Sequence, residues 1–598
     1  MKQLKYFIKK YFTYFSYFYT HLRFKLFVTL GVSLLVGVLD GLGLAMFLPL
    51  LQVADAAGKV EAESLGNLRF LVDTMESMGI ALTLYSVLLV ILFFFALKGI
   101  AKFIEAYYKV IVRQFFIKKM RLDNVSKLNN LTYKAFVLSD SGKIQNTLSG
   151  EVSRVAIAYQ NYMATVQATV MVLVYVVFAF LSNPEFAMLV AVGGVLSNFV
   201  FQRVYAHTKA ASRKVTRDGH FFQGLLIQQV AFFKYLKATG LIGNFSRKLR
   251  EYISRIEESN RKMGFYGAIL SAAREPLVVG VVVCVIVVQV TYFSRNIGLI
   301  VLSLMFFYRS LNYLMNLQTS WNGFLNASGA LENMTAFMRE LNLNQERYGK
   351  ERVTAFASSI QLKNVGFAYG ANPILVSINL RINKNETIAF VGESGSGKTT
   401  LVNLVAGLMP VTQGQITIDG RPTEDLNMPS WQRRIGYITQ EPVIFTDTIF
   451  NNVSFWAEPN EINIARFWKA LEKAAIADFV RQQPAKENAQ LGTGGVLVSG
   501  GQKQRLSIAR ELYKDIDILI MDEATSALDS ETEVAIQENI DALKGQYTIL
   551  IIAHRLATVK NADRIVLLSE GTIFGEGDFH SLLDKSTSFS KMVALQGL

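Results

Sequence analysis

Six stretches of this chain are too apolar, too long and too poor in charge to fold in water uncovered. They lie at 26–54 (interrupted by Asp40), 80–97, 155–184, 186–202, 277–294 and 296 to about 320 (interrupted by Arg309). A helix rising about 1.5 Å per residue needs roughly 20 such residues to cross about 30 Å of hydrocarbon. Six membrane-spanning helices are therefore expected. Asn183, Pro184 and Glu185 separate the third from the fourth, and the neighbourhood of Arg295 separates the fifth from the sixth, so these two turns lie on one side.

Lys and Arg in the flanks orient such a set, because they are retained on the cytoplasmic face. Residues 1–25 carry six basic and no acidic side chains, 98–154 eleven and four, and 203–273 thirteen and four, whereas 55–79 carries two basic and five acidic. Both termini are expected in the cytoplasm, on the inner face of the plasma membrane. The first apolar run is too long for a cleaved signal peptide and lacks an obvious small-residue cleavage site. These flanks more than account for the net charge of +14, so the charge sets topology and gives no support to nucleic-acid binding. Cys284 is the single cysteine, which excludes an internal disulfide framework, and the five histidines show no zinc spacing. The connections 98–154 and 203–273 are poor in proline and show helical apolar spacing, as in Phe222, Leu225, Leu226, Val230 and Phe233. The spanning helices should continue beyond the bilayer as long cytoplasmic legs.

Near residue 350 short β-rich runs begin to alternate with helical patterns, as in α/β domains. Ile388–Val391 reads as a strand, followed by Gly392, Glu393, Ser394, Gly395, Ser396, Gly397, Lys398, Thr399 and Thr400. This fits a phosphate-binding loop: the glycines let backbone N–H groups wrap phosphates at a helix N-terminus, Lys398 neutralises them, and the Thr399 hydroxyl can ligate Mg2+. A second apolar strand, Ile518–Met521, ends in Asp522 and Glu523. One carboxylate is thereby placed to organise a magnesium shell and the next to polarise an attacking water. Between them runs Val498, Ser499, Gly500, Gly501, Gln502.

Residues of about 355–590 resemble the nucleotide-binding domain of ATP-binding cassette (ABC) transporters, whose signature is L-S-G-G-Q. The fold class expected is an α-helical membrane domain of exporter type (1–340), a linker (341–355) and an α/β P-loop domain (356–598). The resemblance implies ATP and Mg2+, with nucleotide contacts from the 392–400 loop, including Thr400. It implies that Tyr369 stacks on adenine, Gln440 touches magnesium and water, Asp529 crosses to a partner domain, His554 reaches the γ-phosphate and Glu523 is the general base. In such proteins Ser499 and Gly501, with Gly500 and Gln502 beside them, face the nucleotide held by a second chain. A homodimer is the economical partner. Two departures stand out: Val498 replaces the usual leucine, and Gly492, Thr493, Gly494, Gly495 replaces G-E-x-G.

Ionisable residues at membrane depth are functional candidates because they are costly to bury. Lys98, Lys102, Arg274 and Arg309 are the basic ones, suited to a phosphate or pyrophosphate group if they line a cavity. The alternative is that the lysines snorkel and Arg274 pairs with Glu275. Asp40 is read as a hydrogen-bonding group between packed helices. Leu65, Leu68, Leu71, Met75 and Met78 recur at helical spacing in the outer loop, which suits an amphipathic helix on the outer leaflet or a cap over the helix ends. These features, Gly37–Asp55 and S-G-E-V at 149–152 resemble the bacterial lipid-linked oligosaccharide flippases. That resemblance implies a polyprenyl-pyrophosphate glycan cargo moved from the inner to the outer leaflet. The alternatives are a multidrug or peptide exporter and, from another class, an ATP-gated channel or regulatory membrane ATPase.

Overall fold

The structure is a computed structural model that describes residues 14–55, 69–182, 184–292, 297–370, 372–523, 530–553 and 555–595. It forms two compact units, one running to Leu131 and resuming over Leu138–Gln345, the other comprising Thr132–Val137 and Glu346–Leu598.

The first unit is helical. After a helix at 14–22 come α1 (Phe24–Ala45), α2 (Phe47–Asp55), α3 (Arg69–Ser77) and α4 (Leu84–Asn129). Then follow α5 (Tyr133–Leu138), which runs into the second unit's segment, and α6 (Ser141–Asn146). A π-helical turn (Thr147–Glu151) leads into α7 (Val152–Ser182), α8 (Pro184–Ala231), α9 (Phe233–Ala238), α10 (Ile242–Tyr292) and α11 (Ile297–Leu343). Helices α4, α8, α10 and α11 have 46, 48, 51 and 47 residues, about 70 Å each. That is more than twice a hydrocarbon layer, so the long legs expected from the sequence are present. Among the described residues, three stretches are long and apolar enough to span: Phe24–Leu51, Leu84–Asn129 and Ser141–Leu181. The other three apolar runs fall in α8, α10 and α11, where most side chains, with those of Arg274 and Cys284, lie outside the described residues.

Close packing of α1 on α7 depends on glycine. A Cβ at Gly41 would lie 2.2 Å from the Phe178 ring, and one at Gly37 would lie 2.9 Å from Met171 Sδ. Small residues of this kind let membrane helices approach closely. That approach also brings polar groups together in two layers. Lys98 Nζ lies 2.5 Å from Asp40 Oδ1, and the Tyr175 hydroxyl donates to Asp40 Oδ2. Two helical turns away, buried Glu105 accepts from Ser33 Oγ, from Gln167 Nε2 at 2.7 Å and from Lys109 Nζ at 2.9 Å.

One expectation is corrected here and one pair of alternatives is narrowed. Lys98 neither snorkels nor stands free for cargo: its ammonium is taken by Asp40, itself 1% exposed. For the outer helix α3, the structure fits the cap of the two alternatives. Leu71, Val72 and Met75 are buried in a core cluster with Val36, Leu39 and Val87, so α3 caps the helices, while Leu65 and Leu68 lie outside the described residues. Lys102 is exposed on α4.

The second unit has two sheets. β1 (Ser359–Tyr369), β2 (Asn372–Asn383), β4 (Gln413–Ile418) and β5 (Arg421–Pro422) form an antiparallel sheet in the order β2-β1-β4-β5, with β3 (Thr387–Val391) and α12 (Lys398–Val405) falling between β2 and β4 in the chain. After α13 (Met428–Gln432) and β6 (Ile435–Ile438) comes a helical stretch of α14 (Ile449–Ser454), α15 (Glu461–Lys473), α16 (Ala477–Gln482) and α17 (Gly500–Tyr513). The chain ends with β7 (Ile518–Asp522), α18 (Ser530–Leu543), β8 (Thr548–Ile552), β9 (Arg564–Ser569), β10 (Thr572–Gly577), α19 (Phe579–Lys585) and α20 (Thr587–Leu595). The second sheet runs β10-β9-β3-β8-β7-β6, parallel except for β10. One core joins α12 to the space between the sheets, and another packs α15 and α17 on the opposite face.

The Asp40–Lys98 pair gives a direct test. Asp40→Ala leaves an ammonium and a phenol without their acceptor, and should destabilise the detergent-solubilised protein by about 2–4 kcal/mol in thermal melts. Replacing both partners, Asp40→Asn with Lys98→Met, should recover most of that loss.

Candidate nucleotide site

Strand order brings the motifs together. Ile552 on β8 is level with Phe390 on β3 at one side and with Asp522 on β7 at the other. The loop after β3 and the carboxylates ending β7 therefore emerge from the same edge of the sheet, outside the C-terminal ends of parallel strands. Such an edge is where open α/β sheets bind ligands.

The loop backbone is shaped for close approach. Gly395 and Gly397 have φ of 84° and 100°, the left-handed region that glycine enters without cost. A Cβ at Gly397 would lie 2.7 Å from a Leu375 methyl, and one at Gly392 would lie 2.1 Å from the Leu568 carbonyl oxygen. Gly397 caps α12, so the N–H groups of Lys398, Thr399 and Thr400 open the helix toward the loop. Ser394 and Thr399 are exposed, Thr400 half-buried, and Ser396 Oγ is buried without a hydrogen-bond partner. Lys398, 5% exposed, donates to the carbonyls of Gly392 and Glu393 at 2.8 Å each. Burial pushes its ammonium down from the ordinary lysine range, opposed by the carboxylates of Glu523 and Asp522. A buried cation ringed by unspent loop donors fits a polyphosphate.

Glu523 directly follows β7 with φ of 47°, its N–H bonded to the Ile552 carbonyl at 3.0 Å. Its carboxylate accepts from Gln440 Nε2 at 2.8 Å. The structure thus joins two sequence-selected residues that lie 83 positions apart. It adds two that sequence reasoning missed: the Tyr437 hydroxyl lies 3.5 Å from Asp522 Oδ2 and 3.2 Å from Asn403 Oδ1. Burial, then the charge of Asp522, raises the Tyr437 phenol well above its ordinary range, which keeps it neutral. Nothing in the local pattern of Tyr437 distinguishes it from a sheet residue.

Tyr369 ends β1 half-buried, edge-on to Phe367 with ring centroids 4.9 Å apart. Ser499 caps α17: its side chain accepts from the Gln502 N–H, and the Gln502 side chain accepts from the Ser499 N–H at 2.9 Å. This reciprocal box holds Ser499, Gly500, Gly501 and Gln502 at the N-terminus of a helix, with Ser499 and Gly500 exposed. Thr493, in place of the expected acidic residue, sits in a 3-10 turn whose Gly494 carbonyl accepts from Lys503 at 2.8 Å. Asp529 and His554 lie outside the described residues.

Comparison with known proteins agrees with this architecture. The ABC transporter transmembrane region family matches residues 27–313, and the ABC transporter family matches 375–526. The chain belongs to the ABC transporter family, as an exporter-type half-transporter that hydrolyses ATP. It is 30% identical over 509 residues to the ATP-dependent lipid A-core flippase of Ralstonia nicotianae, covering 83% of this chain and 85% of that one. The protein of the same name from Syntrophus aciditrophicus is 44% identical over 241 residues, 40% of each chain. The fold matches a solved bacterial Atm1-family ABC exporter with ATP bound, at a TM-score of 0.78 and 21% identity, over 96% of this chain and 99% of that one.

Replacing the carboxylate that Gln440 grips isolates its part. Glu523→Gln should lower ATP hydrolysis about a hundredfold or more while ATP binding persists, whereas Lys398→Ala should lose both. Nucleotide binding and phosphate release on the same purified samples check this.

Proposed function

We propose that this exporter is a homodimeric flippase for a lipid with a phosphorylated saccharide headgroup, moved from the cytoplasmic to the outer leaflet. The observation that carries the reading is Arg309. It sits half-buried within an apolar run of α11, one turn from Tyr313, which stacks on Tyr175 with centroids 5.4 Å apart. Among the described residues it has no ion-pair or hydrogen-bond partner, while the nearby carboxylate of Asp40 is spent on Lys98 and Tyr175. An intramembrane cation left open calls for an anionic cargo group. The names of the flippase relatives support a glycolipid; a lipid-linked oligosaccharide, probed as a polyprenyl-pyrophosphate glycan, shares the phosphorylated headgroup.

Dimerisation is supported from two directions. The signature Ser499–Gln502 is preformed at the N-terminus of α17, with Ser499 and Gly500 exposed. Leu226, Val230, Phe232 and Phe233 also stand exposed on the legs of a single chain. A second copy would supply the missing half of each site, and would cover apolar surface of this kind.

In the proposed mechanism Lys398 and the N–H groups opening α12 hold the phosphates of ATP, and Tyr369 takes the adenine. Thr399, Gln440 and Asp522 would hold Mg2+, which neutralises phosphate charge when bound. Glu523 accepts the proton of the attacking water, oriented by Gln440, and His554 and Asp529 complete the site. Closing and reopening of the paired domains moves the legs, giving inward and outward access in turn. The basic flanks place both termini and the nucleotide domain, from about residue 356, in the cytoplasm.

Liposomes carrying the purified protein test the cargo. ATP-dependent movement is expected for lipid A-core or polyprenyl-pyrophosphate glycan, and should fall about tenfold in Arg309→Ala while Lys102→Ala changes little. Movement of neither glycolipid, or drug-stimulated hydrolysis with an undiminished Arg309→Ala, would favour a multidrug or peptide exporter.

A further inference from the structure

The S-G-E-V stretch at 149–152 is left without a role by the nucleotide site and by the cargo cation. In the structure it forms the end of the π-helical turn Thr147–Glu151 and the first residue of α7. A π-helical turn carries an extra residue within an α-helical course and is often found where function needs it. Here it lies in the leg part of the Ser141–Leu181 stretch, before the apolar run that begins at residue 155.

Glu151 closes that turn with its side chain 1% exposed, and Oε1 has no hydrogen-bond partner. The atom facing it is equally unspent: His220 Nε2, on α8, is buried without a partner 3.8 Å away. The other imidazole nitrogen, Nδ1, is 3.0 Å from Asn146 Nδ2, so with the amide donating to Nδ1 the ring proton sits on Nε2 and points toward the carboxyl. From α11, Asn333 Nδ2 donates both to Glu151 Oε2 and to Thr147 Oγ1. One turn past His220, α8 meets α6 backbone to backbone: a Cβ at Gly142 would lie 2.5 Å from Gly224 Cα. A carboxyl oxygen and an imidazole nitrogen therefore face one another, each without a hydrogen-bond partner, where α6, the π turn, α8 and α11 come together.

The surrounding charges are mostly committed elsewhere. Arg154 on α7 donates to Thr216 Oγ1 at 2.8 Å and to the Asn326 carbonyl. Lys143 pairs with Glu340 at 2.6 Å, and Asp140 caps α6 by accepting from the Lys143 N–H at 3.1 Å. Asp218 lies two residues before His220, with Arg217 Nε 3.5 Å from its Oδ1 and with Oδ2 buried and unpartnered.

We propose that Glu151 and His220 form a proton-binding site that holds one proton between them, and that its occupancy governs how readily the π turn and the legs joined there rearrange during the transport cycle. The proton comes from water and resides on the Glu151 carboxyl, because His220 Nε2 already carries the ring proton; the pair then carries no net charge. Losing it leaves a buried carboxylate against a neutral imidazole, a state that low dielectric penalises. The surroundings favour the single-proton state. Burial pushes the Glu151 carboxyl up to about 7, against the Asn333 hydrogen bond and the Arg154 charge. Burial also pushes His220 below the ordinary imidazole range, against Asn333 and with the Lys143 charge. For Glu151 the packed joint holds a proton that an exposed carboxyl would release, so its stability falls as pH rises from the ordinary carboxyl range to about 7. For His220 the sign is opposite, and packing is penalised as pH falls below the ordinary imidazole range.

This site does not depend on the identity of the cargo, because ATP hydrolysis reads it without one. The test uses the full chain in lipid nanodiscs, comparing wild type, Glu151→Gln, His220→Gln and the double variant. Infrared spectra of the wild type should show a carboxylic-acid carbonyl band that titrates near neutrality, is lost in Glu151→Gln and is displaced in His220→Gln. Hydrolysis by the wild type should fall about threefold to tenfold between about pH 6.5 and about pH 8. Both single variants should flatten that limb, and the double variant should add nothing further, as one shared site requires. Absence of the band, superimposable profiles for wild type and Glu151→Gln, or additive effects in the double variant would overturn the proposal. Should Glu151→Gln fail to fold, the wild-type band and the His220→Gln profile decide it alone.

Discussion

Everything chemical in the second unit hangs from one edge of a parallel sheet. Because β3, β8 and β7 are adjacent and in register, the phosphate loop and the Asp522–Glu523 pair leave the sheet at one level. Lys398 is held there with little water, facing two carboxylates and its own loop carbonyls, so a polyphosphate arrives at a cation already desolvated. Prior desolvation of this kind strengthens electrostatic contacts and leaves little reorganisation for the moment of reaction. The Gln440–Glu523 hydrogen bond joins the loop after β6 to the residue that follows β7, and so fixes the candidate base.

The membrane half answers a different constraint. Charged groups cannot remain unpaired among apolar helices, and here they are gathered into layers shared by α1, α4 and α7. Asp40, Lys98 and Tyr175 form one layer, and Ser33, Glu105, Lys109 and Gln167 the next. Glycines at 37 and 41 permit the approach that makes such pairing possible. Arg309, on α11, lies one turn from Tyr313, which stacks on Tyr175 of the first layer.

The sequence disclosed what depends on contiguous residues. Glycines at forced backbone angles, a lysine after them and an apolar strand ending in two carboxylates are all local patterns, and the structure realises each one. What stayed hidden depends on pairs far apart in the chain. In the sequence Lys98 stays open between a cavity cation and a snorkelling lysine because its partner is 58 positions away, and α3 stays open between lipid and a cap because the core that takes its apolar face comes from α1, α2, α4 and α7. Tyr437 at Asp522 and His220 at Glu151 are of the same kind: ordinary residues in ordinary patterns until the fold aligns them.

We propose that each nucleotide site is built from two copies of the chain, with Lys398 from one and Ser499 from the other. Mixed assembly tests it most directly. Lys398→Ala and Ser499→Arg should each be inactive alone, yet their co-assembly creates dimers with one intact site. Random mixing should restore about a quarter of wild-type hydrolysis. Full activity in Ser499→Arg alone, or no recovery on mixing, would contradict the account.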